Sequence, residues 1–172
     1  MDLKKNIGIF ADFPKAGISF KDINSLILNP KAFRYAIDEM AKVAKALDAN
    51  IVVIPEARGY IFGTPLAYLI GAGLVPVRKP GKLPGEVTSE SYDLEYGSNI
   101  VEIQKDAIKP GDRVIIVDDL LATGGTMMAA TKLIENLGGE ISGIITLIEL
   151  TELGGRELLK DYFVHSIVTY PY

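Results

Sequence analysis

Several residue types are scarce or missing in this chain of 172 residues. It contains no cysteine and no tryptophan, and its single histidine is His165. The absence of cysteine excludes disulfide bonds, cysteine-ligated zinc or iron–sulfur sites, and thiol catalysis. One histidine leaves no basis for a multi-histidine metal site, and we expect His165, far along the chain from every motif below, to be structural.

The chain also lacks an excess of basic residues. Lys and Arg number 18 against 22 Asp and Glu, which gives a formal net charge of −4. Because nucleic-acid-binding proteins normally carry a basic surface, we expect no nucleic-acid partner. Hydrophobic residues make up 48% of the chain, enough for a sizeable core, and the length is typical of one domain.

Uninterrupted hydrophobic stretches are few. Residues 1–6 are charged and are not followed by the apolar segment of a signal peptide. Residues 59–77 carry no charge and are long enough to be considered as a transmembrane helix, but two prolines and four glycines interrupt them. We therefore expect a helix over 62–71 followed by a strand at 74–78, no membrane partner, and a cytoplasmic location.

The order of apolar segments predicts an α/β domain with a mostly parallel central sheet flanked by helices. Wholly apolar runs such as 51–54 are typical of strands that are buried on both faces. Asn29 and Pro30 have the residue types of a helix start, and apolar residues then recur every three or four positions to Leu47. We expect further strands at 113–117, 141–150 and 164–170, a helix at 126–137, and a helical turn at 156–161.

The segment from Lys79 to Lys105 has a different character. A loop rich in proline and glycine at 79–85 precedes two polar, alternating stretches at 86–94 and 99–104. This pattern predicts a β-hairpin with little apolar content. We expect a flexible flap at about 80–104 that projects from the core.

The most informative segment is 114–126. An apolar strand ends in Asp118 and Asp119, and a small-residue turn leads to a helix that opens near Thr126. Free backbone N–H groups and the positive end of the helix then converge on one spot, which makes a phosphate-binding turn. The two acids suit ribose hydroxyls beside that phosphate, although a solvated Asp-Asp turn before a helix cap is the simpler alternative. The chain has no Walker loop, and Gly71-Ala72-Gly73 is a poor dinucleotide fingerprint.

Residues 114–126 resemble the phosphoribosyl-pyrophosphate motif of the type I phosphoribosyltransferases. Four further blocks resemble the adenine-specific members of that family, in the same order along the chain: 18–22, 56–59, 78–84 and 92–97. The resemblance implies one domain over 1–172 with the family's fold, which includes a small N-terminal hood at about 1–28. Ala122 stands where the members for 6-oxopurines carry an acid, which points to adenine.

The resemblance also implies a reaction. Phosphoribose is transferred from 5-phosphoribosyl 1-pyrophosphate to N9 of adenine, giving AMP and pyrophosphate in purine salvage. The family's transition state has oxocarbenium character, so catalysis should consist of positioning and charge stabilisation. Mg²⁺ is expected as cofactor, held mainly by the substrate and not directly by protein ligands. A homodimer is expected as well.

Site roles follow residue by residue from the same resemblance. Asp118 and Asp119 contact the ribose, and the 5-phosphate is bound by Ala122, Thr123, Gly124, Gly125 and Thr126. Pyrophosphate is bound by Arg58, Lys79 and Lys82, and adenine by Ile18, Phe20 and Lys21. The catalytic set is Glu95, Arg58, Asp118 and Asp119.

Several of these roles have simpler alternatives. Lys79 and Lys82 could be ordinary loop charges, Glu95 could be a charge at the tip of the flap, and Phe20 could be a core residue. Lys21 departs from the arginine usual in the family, and lysine lacks the forked guanidinium. Two other functions also stay open: transfer to another base such as xanthine, or a nonenzymatic sensor that only binds phosphoribosyl pyrophosphate.

Overall fold

The computed structural model describes residues 1–94 and 97–172. Glu95, a predicted catalytic residue, lies outside the described residues. The strands are β1 (Gly8–Phe10), β2 (Phe20–Asp22), β3 (Ile51–Pro55), β4 (Gly73–Val77), β5 (Val87–Leu94), β6 (Gly97–Gln104), β7 (Arg113–Leu121), β8 (Glu140–Leu150) and β9 (Val164–Tyr170). The α-helices are α1 (Asn24–Leu28), α2 (Pro30–Ala46), α3 (Gly59–Ile70), α4 (Gly125–Asn136) and α5 (Gly155–Leu158).

Five strands form the central sheet in the order β4-β3-β7-β8-β9. Every neighbouring pair in it is parallel, so this sheet is entirely parallel. Their carboxyl ends therefore share one edge, which is where ligands bind in sheets of this kind. The α/β prediction is confirmed.

Both faces of the sheet are buried, which explains the wholly apolar strands. Alternate residues point to opposite faces: Val52 and Ile54 belong to the core beneath α2 and α3, whereas Val53 belongs to the core beneath α4. As the sequence indicates, α2 begins after Asn29, whose side-chain oxygen accepts hydrogen bonds from the backbone N–H groups of Lys31 (3.1 Å) and Ala32 (3.3 Å).

The predicted N-terminal hood contains a separate two-stranded antiparallel sheet, β1 with β2. It is held to the body by buried apolar side chains that join the α2 and α3 core, namely Leu3, Ile7, Ile23 and Leu26. This arrangement places β2 beside the carboxyl edge of the central sheet, where Arg58 borders the same cavity as Phe20.

The hairpin of β5 and β6 forms as expected, but its base does not project from the core. Val101 and Ile103 of β6 are buried in the core beneath α4. Arg78 and Glu102 also exchange backbone hydrogen bonds of 3.0 Å and 2.7 Å, which tie β6 to the end of β4. The expectation of little apolar content therefore fails at this end of β6, where alternate residues face the core.

Two element boundaries differ from expectation in ways that matter for the site. Helix α3 begins at Gly59 and not at residue 62, so its first turn lies directly after Arg58. Strand β7 runs to Leu121 instead of stopping at 117. Asp118 and Asp119 therefore lie within the strand, near its carboxyl end. Residues 59–77 form α3 and β4, and no described helix is long and apolar enough to cross a membrane.

Candidate functional site

The first feature of the site is an ion pair at the carboxyl edge of the sheet. Because β3 and β7 are parallel neighbours, Arg58, which follows β3, and Asp119, near the end of β7, meet there. The Nε atom of Arg58 lies 2.9 Å from Oδ2 of Asp119. The Asp119 side chain is 6% exposed and that of Arg58 is 50% exposed. The Arg58 guanidinium therefore reaches solvent, whereas the Asp119 carboxylate that pairs with it is buried.

Asp118 adds a second carboxylate beside the first. Its Oδ1 accepts a hydrogen bond from the backbone N–H of Asp119 at 2.8 Å. Burial, together with the charge of Asp119, raises the pKa of Asp118 well above its usual range. Burial also raises the pKa of Asp119, and Arg58 opposes that shift. Two adjacent acids held this way are strong hydrogen-bond acceptors for ligand hydroxyls.

Gly59 makes room for Asp118. A Cβ atom at this position would lie 3.1 Å from the carbonyl oxygen of Val117 and 3.2 Å from Oδ1 of Asp118. Any other residue at position 59 would crowd Val117 and Asp118, so glycine lets the start of α3 lie close to the acids without a shift.

The predicted phosphate-binding turn lies between β7 and α4. Gly124 has a φ of 84° and stands as the N-cap of α4, a helix of 12 residues. The turn encloses a cavity of about 100 Å³ that is lined by Asp118 and residues 120–127, which include all five predicted phosphate-binding residues. Gly124 has no side chain that could cap the helix, so the first turn of α4, whose residues line this cavity, keeps backbone N–H groups without a side-chain cap.

The hairpin reaches the same turn through Tyr92. A Cβ atom on Gly125 would lie 2.9 Å from the Tyr92 ring, and Thr126 Oγ1 donates a hydrogen bond of 3.0 Å to the Tyr92 hydroxyl. Sequence reasoning assigned no role to Tyr92. Its position in an alternating polar strand gave no sign that β5 lies across the start of α4.

A second cavity, of about 300 Å³, opens between the hairpin and the ends of β3 and β4. Both Lys79 and Thr126 line it. Glu56 holds residues 78 and 79 at the wall of this cavity. Its Oε1 accepts a hydrogen bond from the backbone N–H of Lys79 (2.6 Å), and its Oε2 lies 3.1 Å from Nη2 of Arg78. The Lys79 N–H is the largest cause of a lowered Glu56 pKa, and Arg78 adds to it.

The two lysines that were predicted to bind pyrophosphate, Lys79 and Lys82, lie in different surroundings. Lys79 faces the cavity beside Thr126, whereas Lys82 is exposed in the following loop and does not line that cavity. The backbone carbonyl oxygen of Lys82 accepts a hydrogen bond from Nη1 of Arg78 at 3.4 Å. Within the described chain, Lys82 is therefore not brought to the other site residues.

An aromatic cavity of about 380 Å³ adjoins the ion pair, and Arg58 is part of its wall. The other walls include Phe10, Phe13 and Phe20, and the rings of Phe13 and Phe20 meet edge to face with centroids 5.2 Å apart. Phe10 and Phe13 are about half exposed. Sequence reasoning found Phe20 and missed the other two, although three phenylalanines within eleven residues were a usable signal.

The other two predicted adenine-binding residues occupy different positions. Ile18 is partly buried and is not among the residues that line the aromatic cavity. Lys21 borders the cavity, but its ammonium donates to the carbonyl oxygen and hydroxyl of Ser19 and lies over the Tyr170 ring. His165 lies at the amino end of β9, opposite the carboxyl edge that carries the site.

Comparisons with known proteins show the family to which the chain belongs. The model of the phosphoribosyl transferase domain matches residues 26–170. The chain belongs to the phosphoribosyltransferase family.

The individual relatives and solved structures that match the chain include adenine phosphoribosyltransferases. An adenine phosphoribosyltransferase of Clostridium perfringens is 58% identical over 170 residues, which cover 99% of both chains. The crystal structure of the adenine phosphoribosyltransferase from Thermoanaerobacter pseudethanolicus matches with a TM-score of 0.95 at 51% identity, covering 98% of each chain. The Saccharomyces cerevisiae enzyme, solved in complex with an imino-altritol bisphosphate and adenine, matches with a TM-score of 0.91 at 40% identity over 96% of each chain.

Proposed function

We propose that this protein transfers phosphoribose from 5-phosphoribosyl 1-pyrophosphate to N9 of adenine, releasing AMP and pyrophosphate in purine salvage. One observation carries the proposal: Arg58 joins the aromatic cavity to the acid pair and, through Asp118, to the phosphate-binding turn. A flat base, a ribose and a phosphate fit these three regions in the order in which they are linked in AMP.

We assign the 5-phosphate to the turn that contains Ala122, Thr123, Gly124, Gly125 and Thr126. The N–H groups and the positive end of α4 attract an anion there without any basic side chain. The two hydroxyls of the ribose then donate hydrogen bonds to Asp118 and Asp119, whose carboxylates are strong acceptors when ionised.

Arg58 and Lys79 are proposed to neutralise the departing pyrophosphate. Arg58 presents a half-exposed guanidinium at the edge of the site, and Lys79 lies in the cavity next to Thr126. The acids below the ribose stabilise positive charge that develops on the sugar as the bond to pyrophosphate breaks. Lys82 remains a proposal from family resemblance alone.

The base is proposed to lie against Phe20, with Phe10 and Phe13 completing the apolar walls. Ile18 and Lys21 stay as proposed adenine-site residues, Lys21 through its backbone because its ammonium is bound elsewhere. Glu95 stays a proposed proton-transfer residue for the imidazole nitrogens of the base, on family resemblance.

Mg²⁺ fits the site as a cofactor that is bound mainly by substrate. Within residues 1–94 and 97–172, no group of three or more His, Asp or Glu side chains could hold a metal ion. The oxygen ligands at hand are the two acids, and Asp119 is already paired with Arg58. When bound, the cation neutralises phosphate oxygens of the substrate. We also expect a cytoplasmic homodimer, as the family resemblance implies.

The proposal is tested by following AMP formation and pyrophosphate release from adenine, phosphoribosyl pyrophosphate and Mg²⁺. We expect turnover by the wild-type chain and a loss of at least about tenfold in kcat/KM (~1.4 kcal/mol) when Asp118 and Asp119 are both changed to Asn. The exposed residues Asp38 and Asp161, both changed to Asn, control for the removal of two charges outside the proposed site. Binding of phosphoribosyl pyrophosphate without any turnover would instead favour a sensor.

A further inference from the structure

Lys21 is a buried lysine that is held by neutral partners. Its exposed fraction is 6%, and its Nζ donates hydrogen bonds to the carbonyl oxygen of Ser19 (2.9 Å) and to the Ser19 hydroxyl (2.7 Å). The same nitrogen lies 5.4 Å from the centre of the Tyr170 ring, a cation–π distance. Burial lowers the pKa of Lys21. An apolar side chain would fill this space without the free-energy cost of burying a charge.

Lys21 and its hydrogen-bond partner Ser19 lie on either side of Phe20 in the sequence. By binding Ser19, the ammonium spans the Phe20 residue and restrains the peptide group that precedes it. Few other contacts do this, because β2 pairs only with the three-residue strand β1 in the described structure. Tyr170, at the end of β9, anchors the ammonium to the central sheet.

We propose that Lys21 is a positioning residue for the base: anchored over Tyr170, it fixes the Ser19–Phe20 backbone so that the Phe20 ring stays in the wall of the aromatic cavity. This inference rests on the proposed function, since it takes the cavity as the adenine site. It gives the Lys21 side chain an indirect role, because the ammonium, although Lys21 borders the cavity, is engaged by Ser19 and lies over the Tyr170 ring.

Lys4 provides a matched control. Its Nζ lies 4.9 Å from the centre of the same Tyr170 ring, but the side chain is exposed and has no bond to Ser19. Lys4→Met therefore removes a cation from Tyr170 and leaves the backbone of β2 untouched. Lys21→Met removes the cation and both bonds to Ser19, whereas Lys21→Arg keeps a donor and a cation that can stack on the ring.

The test is a set of steady-state measurements on these three variants and the wild type, with adenine and phosphoribosyl pyrophosphate varied separately. We expect Lys21→Met to raise the KM for adenine by at least about fivefold, the scale of a lost charge-assisted hydrogen bond that is only partly transmitted to the base. The KM for phosphoribosyl pyrophosphate should change less than twofold (about 0.4 kcal/mol). Lys21→Arg should restore most of the adenine KM, and Lys4→Met should match the wild type.

An adenine KM for Lys21→Met equal to that of Lys4→Met would overturn the inference, as would equal rises in both KM values, which indicate a general loss of fold. If Lys21→Met does not fold, Lys21→Gln decides by the same criteria, since its uncharged side chain is one bond shorter. Failure of the proposed function is a separate outcome: the wild type itself would then not turn over adenine.

Discussion

At the end of β7, the buried charge of Asp118 is unfavourable for the fold. Burial and mutual repulsion raise the pKa of Asp118, so its ionised form is disfavoured in the folded chain. Between the ordinary Asp pKa of about 3.9 and the raised folded value, the folded state binds more protons than the unfolded state. The free energy of unfolding therefore falls as pH rises through this window.

The first prediction concerns Asp118→Asn. Asparagine keeps an oxygen for the Asp119 N–H and removes the buried charge, so the variant should be more stable than the wild type at pH 7 and should lose most of this pH dependence. Activity should fall by about tenfold or more, because a neutral amide binds ribose hydroxyls and developing positive charge less well. Urea unfolding at a series of pH values checks the first part. Equal or lower stability at pH 7 would contradict the raised pKa.

At the scale of elements, the contact between the hairpin and α4 yields a second prediction. Tyr92→Phe removes the hydroxyl that accepts from Thr126, so β5 should separate from α4 more readily. Amide hydrogen exchange across 87–94 should accelerate by about fivefold, the equivalent of one hydrogen bond of ~1 kcal/mol. Tyr68→Phe is the matched control, because Tyr68 is 90% exposed. Unchanged exchange in Tyr92→Phe would contradict a stabilising role for the hydrogen bond between Thr126 and Tyr92.

The elements of the body were predictable because their sequence patterns report local conditions. The apolar run 51–54, the Asn29 cap and the acids before a glycine-rich turn each reflect constraints within one strand or one helix end. The hairpin was predicted less well, since Val101 and Ile103 alternate with polar residues and only the tertiary fold brings them under α4.

The candidate site also divides into residues that were predicted from the sequence and contacts that depend on the tertiary fold. Arg58 and Asp119 were placed in one site from family resemblance, and the parallel pairing of β3 and β7 supplies the reason why they meet. Contacts that join distant segments were missed, because no local pattern carries them. Two contacts are of this type: that of the Lys21 ammonium with the Tyr170 ring, and the hydrogen bond from Thr126 to Tyr92.

At the scale of the whole molecule, a second carboxylate has a pKa that is shifted in the opposite direction to that of Asp118. Glu149, near the end of β8, is 2% exposed, and Arg156 Nε donates to its Oε1 at 2.8 Å. The hydrogen bond from Arg156 is the main cause of a lowered Glu149 pKa. This pair therefore stabilises the fold above the ordinary Glu pKa of about 4.3, and its contribution is lost as pH falls through the folded value.

The third prediction follows from that pair. Arg156→Met leaves a buried carboxylate without its cation and should lower the free energy of unfolding by about 2 kcal/mol at pH 7, less than for a fully buried pair because Arg156 is half exposed. Lys160→Met, which removes the exposed partner of Glu157, should change it by less than about 0.5 kcal/mol. Urea unfolding of both variants decides this, and equal losses would contradict a special role for the Glu149 pair.

The charge balance of the molecule bears on how it can bind its proposed substrate. A chain with a net charge of −4 cannot attract a phosphorylated sugar through its overall field. Attraction has to be local, from the start of α4, Arg58, Lys79 and the Mg²⁺ that the substrate carries. The small number of basic residues, which led us to expect no nucleic-acid partner, is therefore compatible with an anionic substrate.

The most direct test of the account compares kcat/KM for adenine with the values for hypoxanthine, guanine and xanthine, under saturating phosphoribosyl pyrophosphate and Mg²⁺. Ala122 and the similarity to adenine phosphoribosyltransferases predict that adenine is preferred by at least about 100-fold (~2.7 kcal/mol). Pyrophosphate release measured with each base gives these values. Comparable rates with guanine, or no turnover with adenine, would contradict the account.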